Sequence, residues 1–176
     1  MRMNLRTSLS MAVLGLATLA ASCQVKPGEY RVYRVANQDT EESNGCYPSP
    51  PDIDVTGDST TVRVGQTFAV FAADSETYFL DFENLSLAGN RDGNAYSFNG
   101  ETVDVTLQGD STITMTSILD IDLTIEGRKI TGTSTLDVSS TCTGGMACPD
   151  PANTQCITTT KFDGSEMKDV ELEHGV

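Results

Sequence analysis

Apolar and polar side chains alternate strictly through three stretches of this chain, residues 102–107, 112–116 and 120–126. A period of two places successive side chains on opposite faces of a strand, and this pattern is typical of an antiparallel sheet with one buried face. We therefore expect half-buried strands here. The apolar residues expected on the core face of the first and third strands are Val103, Val105, Leu107, Ile121, Leu123 and Ile125.

Turn residues separate these and further short runs. Asn99-Gly100 is typical of a two-residue hairpin turn, and Gly109-Asp110, residues 126–128 and Asp163-Gly164 indicate further reversals. Other apolar or alternating runs begin at Glu29, Thr60, Gln66, Glu76, Leu85, Lys129, Ile157 and Met167. About ten short strands at this spacing predict an all-β fold, an antiparallel meander that forms a barrel or a sandwich.

Two irregular stretches, residues 37–54 and 143–155, interrupt the pattern with prolines and glycines, and each contains a cysteine. The disulfide candidates are Cys46, Cys142, Cys148 and Cys156. Four cysteines permit three connectivities, and the sequence does not choose among them. Pairing Cys142 with Cys156 and Cys46 with Cys148 would tie both loops, and we favour it. A zinc site is the alternative, but these cysteines lack the usual ligand spacing.

Residues 1–22 are typical of a signal peptide, with Arg2 and Arg6 before a mostly apolar stretch from Leu9 to Ala21. That stretch is shorter than the ~20 residues of a membrane-spanning helix. The sequence Ala20-Ala21-Ser22-Cys23 resembles the lipobox of bacterial lipoproteins. The resemblance implies cleavage before Cys23 and a lipid on its thiol, with palmitate among the acyl chains. It also implies the outer membrane, because Gln24 stands where aspartate signals retention in the inner membrane.

An ordinary secretory signal is the alternative, because residues 20–22 also fit a cleavage site with small residues. Cysteine parity favours the lipoprotein, since removing Cys23 from the five thiols leaves four that can all pair. We therefore divide the chain into a signal peptide (1–22), a lipidated N-terminus with a short tether (23–28) and a single β domain (29–176). The tether residues 24–28 reach at most roughly 17 Å.

The charge balance excludes whole classes of function. The chain has 25 acidic and 11 basic side chains, a net charge of −14, which opposes nucleic-acid binding. Without Arg2 and Arg6, residues 23–176 carry 25 acidic and nine basic side chains, a charge of −16. The single histidine, His174, cannot build an internal catalytic triad or a multi-histidine metal site. We expect no enzyme, no cofactor and a membrane as partner through the lipid.

Three weaker patterns suggest a functional site, and each also has a simpler structural explanation; the first two involve acidic residues. Asn90, Asp92, Asn94 and Glu101 match four positions of a calcium loop, but Ala95 stands where the sharp turn needs glycine, and we favour turns over a metal site. Paired carboxylates, Asp52 with Asp54 and Asp120 with Asp122, are expected by coincidence in so acidic a chain.

Aromatic residues could line a barrel cavity for an apolar ligand, although such residues are more often core. They are Phe68, Phe71, Tyr78, Phe79, Phe82, Tyr96 and Phe98. The sequence therefore favours a lipid-anchored binding or structural protein of the bacterial envelope. The alternative is a β-barrel carrier of a small apolar ligand, anchored or secreted.

Overall fold

The structure, a computed structural model, describes residues 24–43, 62–145, 148 and 153–170. Eight antiparallel strands in this part of the chain form a closed barrel in which each strand pairs with the next and β8 returns to β1. The strands are β1 (Tyr30–Glu42), β2 (Thr67–Ala72), β3 (Tyr78–Phe82), β4 (Leu85–Asp92), β5 (Ala95–Gln108), β6 (Ser111–Glu126), β7 (Lys129–Gly144) and β8 (Asn153–Glu166). The predicted all-β meander is confirmed, and it closes as a barrel.

Strand boundaries differ from the prediction because two expected turns lie inside strands. Asn99 and Gly100 belong to β5, where Asn99 pairs with both Ala88 and Asp120. A Cβ atom on Gly100 would lie 2.5 Å from Leu87 Cδ2, so close packing rather than a turn accounts for this glycine. Residues 95–98 and 101–107 are therefore one strand.

Gly164 likewise lies inside β8, and a Cβ atom there would come within 2.7 Å of the carbonyl oxygen of Arg34. Residues 112–116 and 120–126 also form a single strand, β6. The run beginning at Met167 follows β8 without forming a strand, and Thr60 lies outside the described residues. The turns predicted at Gly109-Asp110 and at residues 126–128 are confirmed, with φ angles of 60° at Gly109 and 61° at Gly127.

The core fills the barrel with side chains from alternate positions. Phe68 contacts Phe82 and Phe162 at ring-centroid distances of 5.3 Å each, and all three rings are at most 4% exposed. From β6, the predicted core residues Ile121, Leu123 and Ile125 are buried, as expected from the alternation. Burial of these apolar side chains is the main stabilising contribution to the barrel.

The barrel wall is uneven in height, and this unevenness positions the candidate site. Strands β2, β3 and β4 have six, five and eight residues, whereas β5 to β8 have 14 to 16. Strand β4 pairs with β5 only as far as Asn99. Beyond that point the long strands continue past the short wall. We call this part the sheet extension, residues 100–108, 111–119, 136–144 and 153–158.

Candidate functional site: the sheet extension

The sheet extension exposes apolar side chains that the alternation assigned to the core. Val103, Val105 and Leu107 share one face as predicted, but they are 55%, 61% and 75% exposed, so their predicted burial is wrong. The reason lies earlier in the same strand. Tyr96 and Phe98 are buried in the barrel, which points even-numbered residues of β5 inward and odd-numbered residues outward.

Exposed apolar surface is concentrated in this part of the molecule. Seven large apolar side chains of the described residues are exposed, and five of them belong to the extension. They are Val103, Val105, Leu107, Met115 and Ile157. Three of them, Val103, Val105 and Leu107, share the outer face of β5, and an exposed apolar stripe with polar surroundings is typical of an interaction site.

Charge is distributed unevenly along the barrel axis. The segments of the extension contain no lysine or arginine, while Glu101, Asp104 and Asp137 lie on them and Asp110 lies in the β5–β6 turn. Six of the nine basic side chains of the described residues lie at the other end, which we call the base, where the turns at residues 93–94 and 127–128 lie. They are Lys26, Arg31, Arg91, Arg128, Lys129 and Lys168, and acidic side chains lie at the same end, among them Glu29, Asp92, Glu126 and Glu166.

The chain preceding β1 is bound to the base. Val25 is fully buried, and its amide donates a hydrogen bond to Tyr96 Oη at 3.2 Å. The amide of Gly28 donates to the carbonyl oxygen of Ala72 at 3.0 Å, next to a bridge between Pro27 and Ala72. The 14 residues of β5 span roughly 45 Å along the strand. The tether and the far end of the extension are therefore at opposite ends of the molecule.

A polar groove of about 420 Å³ lies at the base, lined in part by Arg31, Arg128 and Glu166. Glu166 lies 3.9 Å from Arg31 Nε and 3.7 Å from Arg128 Nε, so its carboxylate is paired with two guanidinium groups. Arg31 also donates to the carbonyl oxygen of Gly127 at 3.2 Å. Nearby, burial raises the pKa of Tyr33 to about 12, against the opposing effect of the Arg31 guanidinium.

The paired carboxylates Asp120 and Asp122 lie on the outer face of β6. Asp120 Oδ1 accepts a hydrogen bond from Asn99 Nδ2 at 2.6 Å, and Asp122 Oδ1 accepts one from Ser97 Oγ at 2.5 Å. They border an open groove of about 380 Å³. Each carboxylate is thus part of a cross-strand polar pair that stabilises the β5–β6 ladder. Asp52 and Asp54 lie outside the described residues.

The calcium-like residues are not brought together. Asn90 and Asp92 lie on β4, and Asn94 lies in the turn that follows. Glu101 lies on β5 six residues beyond Ala95, roughly 20 Å along the strand from that turn. Among the described residues, no group of three or more acidic, cysteine or histidine side chains is arranged to hold a metal ion.

The aromatic residues proposed as a cavity lining mostly contact one another. Tyr78 and Tyr96 pack edge to face with centroids 5.4 Å apart, in addition to the Phe68 contacts in the core. Phe71 and Phe79 instead stack on the outer face of β2 and β3 at 5.2 Å. Five of the seven rings therefore belong to the core, and two lie outside the barrel.

One disulfide lies at the far end of the extension. Cys142 is bonded to Cys148, with 5.6 Å between their Cα atoms, so the favoured pairing of Cys142 with Cys156 is wrong. Cys148 lies six residues from Cys142, and the bond closes only the start of the irregular stretch after β7. Cys156 is also disulfide-bonded. Cys46 and Cys23 lie outside the described residues.

The sequence interpretation missed the extension itself. Its signal was present in the length of the alternating runs, because residues 95–108 and 111–126 each cover far more than the usual five or six residues of a strand. Reading Asn99-Gly100 as a turn divided the first of these runs.

Comparison with models of protein families, with curated proteins and with solved structures finds no match for this chain. In the described part of the chain, no helix has the length and apolar character needed to cross a membrane.

Proposed function

We propose that this chain is a bacterial envelope lipoprotein, held at the outer membrane by a lipid on Cys23, that binds a partner through the sheet extension rather than catalysing a reaction. The observation that carries the proposal is the position of the tether. Gln24, the residue after Cys23, leads directly to Val25, which is buried at the base of the barrel. A lipid on Cys23 would therefore hold the base near the membrane and direct the extension away from it.

The charge distribution supports this orientation. The base carries basic and acidic side chains together, whereas the extension carries only acidic ones and would be repelled from the anionic surface of a bilayer. The lipid supplies the attachment, because several acyl chains give stable anchoring at roughly 0.8 kcal/mol for each buried methylene.

A binding role for the extension fits the structure better than a catalytic role for the Asp120–Asp122 pair does. Asp120 and Asp122 are hydrogen-bonded to Asn99 and Ser97 on an open face, as structural polar pairs are. Val103, Val105 and Leu107 are apolar groups exposed to water, and covering them with a partner would be favourable.

The anchor is tested by the mass and location of the mature protein with and without Cys23→Ala. We expect the unsubstituted protein to fractionate with the outer membrane and to carry an N-terminal mass increase of lipid size. Cys23→Ala should abolish both. Ser22→Ala is the matched control, because alanine keeps a small residue before the cleavage site and should leave lipidation intact. An unmodified chain released into the medium in every case would overturn the anchor.

A carrier of a small apolar ligand is the second candidate, and the closed barrel is the feature that favours it. The aromatic contacts in the barrel interior favour the first, since these rings contact one another. Solvent extraction of protein purified from cells, followed by mass spectrometry, distinguishes the two. We expect no stoichiometric apolar molecule other than the N-terminal lipid. A stoichiometric molecule that is lost in a Phe98→Trp variant would favour the carrier.

A further inference from the structure

We propose that the free edge of β5 in the sheet extension binds an extended, basic polypeptide segment as an additional strand. This edge comprises residues 101–107, beyond the last pair between β4 and β5, Ala88 with Asn99. No strand of the described residues pairs with it. The proposal names the partner class for the binding role given above, and it depends on that role only for the orientation relative to the membrane.

The backbone geometry shows which groups the edge offers. The two-residue turn at Gly109-Asp110 makes Gln108 and Ser111 the first hydrogen-bonded pair of the hairpin. Because pairs alternate along an antiparallel ladder, even-numbered residues of β5 bond to β6. Val103, Val105 and Leu107 consequently direct their N–H and C=O groups away from β6, toward the free edge.

The opposite end of β5 gives the same alternation independently. The turn at residues 93–94 makes Asp92 and Ala95 a hydrogen-bonded pair, so odd-numbered residues of β5 bond to β4 in the closed barrel. The register shows no shift between Ala95 and Gln108. The three residues with exposed apolar side chains are therefore also the residues with outward backbone donors and acceptors.

The edge lacks most of the usual protection against strand addition. Natural edge strands are commonly shortened, covered, bulged, or carry lysine or proline. Residues 101–108 contain no lysine and no proline, run without a bulge and are all exposed. Strand addition uses the backbone bonds for affinity and the alternate side chains for specificity. Here one face would offer Val103, Val105 and Leu107, and the other would offer Thr102, Asp104, Thr106 and Gln108.

Charge determines the class of occupant. Glu101, Asp104 and Asp110 lie on or beside the edge, and the extension has no basic side chain to neutralise them. A segment with lysine or arginine between apolar residues would place opposite charges together while covering the valines.

A second copy of this chain is a worse occupant. It would bring two bodies of charge −16 together. Antiparallel pairing about Val105 would also point the two bases in opposite directions, so both tethers could not reach one membrane.

The test uses the chain purified from cells in non-ionic detergent and a synthetic peptide, Lys-Val-Lys-Val-Lys-Val-Lys. Amide hydrogen exchange is followed by NMR with and without the peptide. We expect the amides of Val103, Val105 and Leu107 to exchange rapidly alone and at least about tenfold more slowly when the peptide is bound. Amides of Thr102, Asp104 and Thr106 should be protected in both states. Binding should weaken as salt is added.

Controls separate strand addition from charge attraction alone. The same peptide with alternate backbone nitrogens methylated keeps its charge but loses the donors that face the edge. Val105→Pro removes an edge donor without removing a bond to β6, and retained protection of Thr102, Asp104 and Thr106 reports that β5 still folds. Val105→Lys opposes the basic peptide, and Val64→Lys is its matched control, because Val64 is 62% exposed and lies in a turn.

We expect the methylated peptide, Val105→Pro and Val105→Lys each to lose at least about tenfold in affinity, and Val64→Lys to lose far less. Equal affinity for both peptides, or no added protection at Val103, Val105 and Leu107, would overturn the proposal. So would protection of these amides that rises with protein concentration and with salt, which would assign the edge to a second copy. An unmodified Cys23 would contradict the membrane anchor and leave this result unaffected.

Discussion

Strand β5 passes through two different environments, and its two halves show what closure of the barrel contributes. In the first half, Tyr96 and Phe98 are 1% exposed because β2, β3 and β4 complete the barrel around them. In the second half, residues 101–108 are exposed on both faces although their alternation is more regular. Alternation therefore produces a strand, but the inner face of β5 is buried only where β2, β3 and β4 complete the ring.

The largest expected difference between these regions is in unfolding free energy after loss of an apolar side chain. Phe68→Ala removes a fully buried ring that contacts Phe82 and Phe162, and we expect it to destabilise the protein by about 3–5 kcal/mol. Leu107→Ala, at 75% exposure, should change stability by less than about 0.5 kcal/mol. Urea unfolding measures both. Similar losses for the two variants would contradict the division into barrel and extension.

Substitutions of inward-facing glycines also compare packing in the barrel with packing in the extension. A Cβ atom at Gly132 would lie against the carbonyl oxygen of Asp122 and 2.6 Å from Phe162 Cζ, so both the backbone and a buried ring would have to move. We expect Gly132→Ala to destabilise by roughly 1–3 kcal/mol. Thermal unfolding provides the measurement.

Gly100→Ala, where the extension begins, is the matched variant. Its added methyl group would meet only the side chain of Leu87 and no backbone atom. We expect a smaller loss than at Gly132, below about 1 kcal/mol. A larger loss at Gly100 than at Gly132 would show that the start of the extension is packed as rigidly as the barrel.

Local sequence preference predicted the fold class because it acts within each strand, and it failed where partners on neighbouring strands determine the outcome. Ile121, Leu123 and Ile125 were placed correctly from alternation alone. Asn99-Gly100 is a strong turn signal, yet Asn99 pairs on both sides and its amide bonds to Asp120. These long-range pairs outweigh the local preference of two residues.

The candidate site was harder to predict for the same reason. Whether Val103 and Val105 face the core depends on Tyr96 and Phe98 earlier in the same strand. Because these two side chains are buried, even-numbered residues of β5 face inward and odd-numbered residues face outward. The free edge depends on where β4 begins to pair with β5. The partner of Cys142 depends on the path of the chain after β7, and spacing alone leaves three connectivities.

The disulfide at the far end of the extension provides a smaller test of how independent this region is. The bond between Cys142 and Cys148 closes a short loop, and loop entropy alone gives roughly 2 kcal/mol. We expect the double variant Cys142→Ala, Cys148→Ala to reduce hydrogen-exchange protection mainly on β6 and β7 near Ile113, the partner of Cys142. Protection of Ile121 and Ile130 in the barrel should fall less. An equal loss in both regions would show that they open together.

Each region also buries one hydroxyl group without a hydrogen-bond partner among the described residues, Tyr33 in the barrel and Ser111 in the extension, and these give the smallest effect at neutral pH. Tyr33→Phe and Ser111→Ala should each change stability by less than about 1 kcal/mol at neutral pH.

At high pH the two variants should differ in stability. Because the pKa of Tyr33 is raised from 10.0 to about 12, the folded state keeps its proton while the unfolded state loses it. Stability should fall between those two pH values, by up to about 1.4 kcal/mol per pH unit. Tyr33→Phe should remove this contribution to the fall and Ser111→Ala should retain it, as measured by urea unfolding from neutral to alkaline pH. The same alkaline slope in Tyr33→Phe as in the unsubstituted protein would show that Tyr33 does not control it.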